Sequence, residues 1–269
     1  MFNYAKFDSA TFDSAKQKPA KHKSNTHNVL LALVFSLGAV SSQGFAQETE
    51  QGAASQLNPV IMEQFQPLFT AITAELGPLF TAITAELGAN KARYLTEPAA
   101  YYALVDRYLR PRWDTASTAS ALVGRNYFES LSTAEQSALT AAVDSTLVRY
   151  AFEGLEHYSG QRFDIADIVV SDGAAMGWVQ VLMESPIIPD INLDVLIKQG
   201  DKDDWKAVDI RFKGITYVSI KKHSFREIIA ESGLQALIGD LQGKNAAYFK
   251  VICAETKTVD LPPCNLKTE

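Results

Sequence analysis

Asp209 is the residue in this chain best placed by type for acid–base work. It stands inside the run Trp-Lys-Ala-Val-Asp-Ile-Arg-Phe, residues 205–212, where a carboxylate interrupts an apolar strand. Strand alternation sets it with Trp205, Ala207 and Arg211, opposite Val208, Ile210 and Phe212. A structural role, pairing with Arg211 or capping a neighbouring turn, fits that setting better than a direct role toward a ligand. His157 and His223 are the histidines beyond the first 46 residues. His157 lies beside Tyr158 at an expected helix end, where an imidazole caps carbonyls, and His223 lies between Lys222 and Ser224 at a solvated helix start. The sequence contains no Gly-x-Ser-x-Gly, no P-loop, no dinucleotide fingerprint and no zinc-ligand spacing. The expectation is therefore a protein that is not an enzyme, with no catalytic residue, no metal and no cofactor. Cys253 and Cys264 bracket a segment containing Leu261-Pro262-Pro263 and lack the Cys-x-x-Cys spacing of a redox pair. Two cysteines allow one pairing, so the expected role is a staple on the C-terminal tail of an exported chain.

Residues 1–46 look like an export signal. Lys16, Lys18, Lys21 and Lys23 charge the start, Val29 to Val40 is an apolar run, and Gly44-Phe45-Ala46 offers small residues three and one before Gln47. The apolar run is well below the ~20 residues that span a bilayer; an uncleaved anchor is the alternative. No cysteine stands at the cleavage point, so a lipid anchor is not expected. Cleavage removes five lysines and two aspartates from 25 basic and 31 acidic residues, leaving 20 against 29, a net charge of −9. Such a balance argues against nucleic acid and against permanent adhesion to an anionic membrane. The mature chain is long enough for one domain with a sizeable core.

The elements that would position a site follow from periodicity. Residues 47–57 are small and polar, an expected disordered lead-in. Pro67-Leu-Phe-Thr-Ala-Ile-Thr-Ala-Glu-Leu-Gly77 then recurs unchanged as residues 78–88, so 67–88 is a duplicated 11-mer. Eleven residues drift only about 20° around a helix, which keeps Leu68, Phe69, Ile72 and Leu76 in phase with Leu79, Phe80, Ile83 and Leu87. Pro78 lacks an N–H and its ring crowds the carbonyl of Ala74, which predicts a kink or a helix end at Gly77-Pro78. Pro98 suits a helix start, with Tyr101, Tyr102, Val105 and Leu109 as its stripe. Ser132-Thr-Ala-Glu135 is a capping-box pattern opening a long helix through Leu139, Val143, Leu147, Tyr150 and Phe152. From Phe163 the period changes to two, with strands expected at 163–170, 177–184, 191–198, 205–212 and 215–220, joined by turn chemistry. Short connections imply an antiparallel meander. The class is α+β, with helices on one face of a twisted antiparallel sheet of about five strands.

The segment from Trp205 to Leu241 resembles the end of the MlaC, or toluene-tolerance, family. Trp205, Asp209 and Gly214 precede an apolar strand and a helix carrying Phe225, Ile228 and Ile229, and the spacing counts for more than any one residue. The apolar turn at Leu122-Val123-Gly124, the pair Tyr127-Phe128, and the Ser/Thr cap before Glu135-Gln136 are similar to the family's order. The likeness runs over residues 58–245, read as an MlaC-like lipid-binding domain, with the duplicated 11-mer and the tail 246–269 outside it.

The resemblance implies a soluble periplasmic carrier holding phospholipid acyl chains in an apolar cavity between sheet and helices. The implied partners are an outer-membrane lipoprotein with a porin and an inner-membrane ABC transporter with a lipid-binding ring. The role implied is maintenance of outer-membrane lipid asymmetry. Carried onto this chain, Ile191 and Ile215 match apolar sheet positions of the family, and Tyr150 or Ala151 a pocket-side position on the long helix. With the other inward-facing apolar residues, the expected lipid-binding set is Tyr101, Val105, Leu122, Tyr150, Ala151, Ile191, Leu193, Val195, Val208, Ile210, Phe212 and Ile215. Ordinary core packing would use the same residues; the hollow reading comes from the resemblance. The alternatives are a secreted hydrolase or isomerase of NTF2-like shape, using Asp209 or a tyrosine as acid or base, and a carrier of another amphiphile such as a quinone or hopanoid.

Overall fold

The structure, a computed structural model, describes residues 59–170, 175–186, 189–200, 204–258 and 261–264, with side chains from Thr70 onward except that of Val170. The expected signal, 1–46, and lead-in, 47–57, lie outside the described residues. Among the described residues, five α-helices come first: α1 (Pro59–Thr96), α2 (Pro98–Tyr108), α3 (Thr115–Val123), α4 (Arg125–Ser130) and α5 (Thr133–His157). Five strands follow, β1 (Arg162–Val170), β2 (Met176–Glu184), β3 (Ile191–Gln199), β4 (Trp205–Phe212) and β5 (Ile215–Thr216), and then α6 (Tyr217–Ser232) and α7 (Leu234–Thr256). The sheet order is β1-β2-β3-β4-β5 with every neighbouring pair antiparallel. This is the α+β meander that the change of period from helix to strand predicts.

Local chemistry explains most of the boundaries. Pro98 opens α2 at its first turn. The Ser132 hydroxyl accepts from the Glu135 amide at 3.3 Å and the Ser132 amide donates to the Glu135 carboxylate at 2.9 Å, completing the capping box of α5. At the other end of α5 it is Lys91 of α1, rather than His157, that serves the carbonyls, donating to Glu156 O at 3.2 Å and to Tyr158 O. Lys213 and Gly214 both have positive φ between Phe212 and Ile215, the two-residue hairpin geometry for which glycine is suited.

Two expectations need correction. The strand expected at 215–220 is only Ile215–Thr216, because α6 begins at Tyr217. Thr216 Oγ1 accepts from Ser219 N at 3.0 Å and Asp209 Oδ1 accepts from Val218 N at 3.2 Å. Two orphan amides of a first turn are thereby satisfied, so the chain coils where its β-branched residues suggested extension. Of the kink or helix end expected at Gly77-Pro78, the helix end does not occur, since α1 is helical from Pro59 to Thr96. A proline inside a helix costs about 3 kcal/mol. Burial on both sides of it offsets that cost, since Ile72 and Leu76 pack on the sheet and Leu87 packs on the helices.

The described residues form three apolar cores. One joins Leu87, Tyr94 and Tyr101 to Val148, Phe152 and Phe249. A second joins α3, α5, α6 and α7 through Leu122, Leu139, Phe225 and Leu237. The third lies between α1 and the sheet, where Ile72 and Leu76 meet Ile168, Val179, Val181, Ile197 and Trp205. The residues from 246, set apart above as a tail, continue α7 to Thr256, and Phe249 is fully buried. Cys253 and Cys264 are joined in a disulfide with Cα atoms 5.8 Å apart, which folds the chain back so that Leu261 enters the first core. Replacing both cysteines with serine is expected to lower stability by about 2–3 kcal/mol, from loop closure alone. Chemical denaturation with and without reductant checks this; a reductant-insensitive midpoint in the native protein would contradict it.

Candidate functional site

Strand register collects the apolar residues of the sheet into rows on the face that meets α1. Ile165 pairs with Val181, Val181 with Leu193, Leu193 with Phe212, and Phe212 with Ile215. Val179, Val195 and Ile210 form a second row, and Met183 and Ile191 a third. Burial falls along the first row. Val181 is fully buried, Leu193 and Phe212 are half-buried, and Ile215 is 56% exposed. The cause is the placement of α1, whose Ile72 and Leu76 cover the β1–β3 side of this face. Beyond it the apolar surface continues to the β5 edge under thinner cover.

One inference from alternation is corrected here. The register between β3 and β4 passes from Leu196–Asp209 to Ile197–Ala207, skipping Val208. This bulge puts Trp205 and Ala207 on the α1 face with Ile210 and Phe212, not with Asp209 and Arg211. Trp205 accordingly packs in the third core. Val208 sits in the bulge, buried, with its carbonyl accepting from Thr118 Oγ1 at 2.7 Å.

The expected lipid-binding residues on helices fall in different places. Tyr101 and Val105 are buried in the first core, and Tyr101 donates to Ala151 O at 2.9 Å. Leu122 is fully buried in the second core. Tyr150 and Ala151 are half-buried on α5. The Tyr150 ring meets that of Tyr217 edge to face at 5.8 Å, where β5 passes into α6. Ile191, Leu193, Val195, Ile210, Phe212 and Ile215 do share one sheet face, while Tyr101, Val105 and Leu122 belong to close-packed helical cores. Sequence reading missed Tyr217, which packs against the second core beside Tyr150, and also Phe80 and the β1–β2 members Phe163, Ile165, Val179 and Val181, which line the sheet face. The alternation Val179, Val181, Met183 in β2 was the available signal for the last of these.

Acid–base chemistry finds little support in the geometry. Asp209 is 6% exposed and its Oδ1 accepts from Ile210 N at 2.8 Å and Val218 N at 3.2 Å. Burial raises its pKa, and those amides pull the other way. Arg211 pairs with Asp194 at 2.7 Å instead, and its guanidinium lies over Trp178 at 4.1 Å. The carboxylate is thus a cap on α6. Burial pushes the phenols of Tyr101 and Tyr217 up, away from the range where either would ionise near neutrality. His223 is exposed and pairs with Glu227 at 3.0 Å. Among the described residues, no group of three or more His, Cys, Asp or Glu could hold a metal ion. No helix among them is long and apolar enough to cross a membrane.

Comparison with known proteins bears on this fold. The solved structure of the phospholipid-binding protein from Ralstonia solanacearum, in complex with a phospholipid, superposes with a TM-score of 0.55 at 18% identity. The match covers 68% of this chain and 98% of that one, and at such identity it speaks for the fold. Comparison with curated proteins finds no match. The family model described as MlaC protein matches residues 79–243, well over half of 269. The match takes in the second copy of the 11-mer apart from Pro78, the α5 capping box, all five strands and the α6 cap made by Asp209. The chain belongs to the MlaC family.

Proposed function

We propose that this protein is a phospholipid carrier of the periplasm, without catalytic activity, that moves lipid between outer-membrane and inner-membrane complexes and so maintains outer-membrane lipid asymmetry. The observation that carries the proposal is the apolar row Val181–Leu193–Phe212–Ile215, which runs from full burial under α1 to an open edge. A face closed at one end and open at the other suits acyl chains lying inward with a head group left outside. Leu193, Val195, Ile210 and Phe212 would line the chains, with Tyr150 and Tyr217 beside them. Family membership supports lipid binding, and the Ralstonia solanacearum protein of the same fold was solved with a phospholipid bound.

Magnitudes say why such a carrier needs partners. Burying acyl chain gains about 0.8 kcal/mol per CH₂, so two chains of about 16 carbons gain on the order of 20 kcal/mol or more. Release into water is then negligible, whereas passage from bilayer to apolar pocket is close to neutral. Lipid must be handed over in docked complexes. An outer-membrane lipoprotein with a porin and an inner-membrane ABC transporter with a lipid-binding ring are the partners proposed. Export through cleavage after Ala46 would deliver the chain to that compartment.

Native mass spectrometry of protein purified from the cell envelope tests the proposal. A mass increment matching phospholipid, released by organic solvent, is expected. Protein that is empty as isolated, and stays empty after incubation with vesicles, would overturn it.

A further inference from the structure

Cations from three helices converge beside the Tyr150–Tyr217 pair. Arg149 of α5, its side chain 16% exposed, pairs with Glu153 at 2.6 Å and donates Nε to Asn245 Oδ1 of α7 at 3.0 Å. Its guanidinium lies over the Tyr150 ring at 4.7 Å. Lys244, the residue before Asn245, pairs with Asp240 at 2.7 Å and is largely exposed. Lys221 lies one turn beyond Tyr217 on α6 and one turn before buried Phe225, on the same helical face. It is half-buried, and among the described residues no hydrogen bond or ion pair satisfies its ammonium. Burial, then repulsion from Lys244 and Arg149, lowers its pKa, with Glu153 acting in the opposite sense.

A half-buried ammonium without a counter-ion, in line with Tyr217 and Phe225, is costly to the fold unless an anion joins it. Arg149 has Glu153 and Lys244 has Asp240, which leaves Lys221 as the cation of the three without an ion pair among the described residues, with Asp209 and Glu156 the further acids near the cluster. The position argues for what that anion is. Tyr217 follows Ile215 and Thr216 directly in the chain and packs against the second core, so the cluster lies at the start of α6, next in sequence to the exposed β5 edge of the sheet. Lys221 is four residues further along α6, about 6 Å of rise. An anionic group carried on acyl chains that emerge past Phe212 and Ile215 comes within reach of it.

We propose that Lys221, with Arg149 and Lys244, binds the anionic head group of a lipid whose chains lie on the inner sheet face, favouring phospholipids of net negative charge over zwitterionic ones. The inference rests on the carrier reading above, and the test separates the two. Lipid-stripped protein is incubated with vesicles containing equal amounts of phosphatidylglycerol and phosphatidylcholine of the same acyl chains, and loading is read by native mass spectrometry. A preference of about tenfold for phosphatidylglycerol is expected, the scale of one charge-assisted contact. Lys221→Gln should abolish the preference while total loading persists, and Lys221→Arg should keep it. Equal loading by the native protein, or a preference that survives Lys221→Gln, overturns the head-group site and leaves the carrier standing. Loading of neither lipid overturns both. A thermal shift with inorganic phosphate that Lys221→Gln removes would then assign the site to free phosphate.

Discussion

Replacing Ile72 with alanine is expected to destabilise the protein by about 2–5 kcal/mol, and the same change at Ile83 by about 1 kcal/mol. The two isoleucines occupy the same position in two identical 11-residue copies. They differ in what they touch. Ile72 is fully buried between α1 and the sheet, against strands β1 to β4, while Ile83 is half-buried at the margin of the first helical core. Denaturant midpoints of the two variants check the contrast, and equal costs would show that the copies share one environment. Deletion of one copy is expected to keep the register. Ile61 and Phe65 stand eleven residues before Ile72 and Leu76, so deleting 78–88 brings apolar residues to the sheet-facing positions with only about 20° of rotation.

Leu193→Trp should lower phospholipid co-purification several-fold and leave the melting temperature of the lipid-stripped protein within about 2 °C of native. Leu193 is half-buried in the row between fully buried Val181 and half-buried Phe212. An indole in a filled core costs ~1–3 kcal/mol in strain, whereas in a lipid slot it occupies space that ligand vacates. Val181→Trp supplies the contrast, since Val181 is 1% exposed in the third core and its neighbours have nowhere to move. Loss of stability in stripped Leu193→Trp, with lipid retained in the folded fraction, would mean that this part of the face is closed core.

Much of the fold was legible because its signals are local. The Ser132–Glu135 box, Pro98 and the period-two runs depend on neighbours a few residues apart, and β1 to β4 lie within a residue or two of where alternation puts them. The misreadings share a different origin. The run 215–220 is rich in β-branched and aromatic residues, yet it coils after Thr216 because Asp209, on another strand, supplies an amide acceptor. Pro78 reads as a kink or a helix end, and the end is excluded only once the burial of Ile72, Leu76 and Leu87 on either side of it is known. The β4 bulge reverses the alternation around Val208, and a bulge leaves no composition mark in Trp-Lys-Ala-Val-Asp. For the candidate site, one-dimensional alternation found the β3 and β4 residues. It could not show that Tyr101 and Leu122 are consumed in helical cores, because only packing separates a stripe that faces the sheet from one that faces another helix.

The central claim, that acyl chains lie on the α1-facing side of the sheet, is tested most directly by photolabelling. Protein loaded with a phospholipid bearing a diazirine near the end of one chain is irradiated, digested, and the labelled residues are mapped. The account predicts label on Leu193, Val195, Ile210 or Phe212. Label confined to Trp178, Leu196 and Arg211 on the opposite face, or to the α3–α5 surface around Phe128 and Thr140, would contradict it.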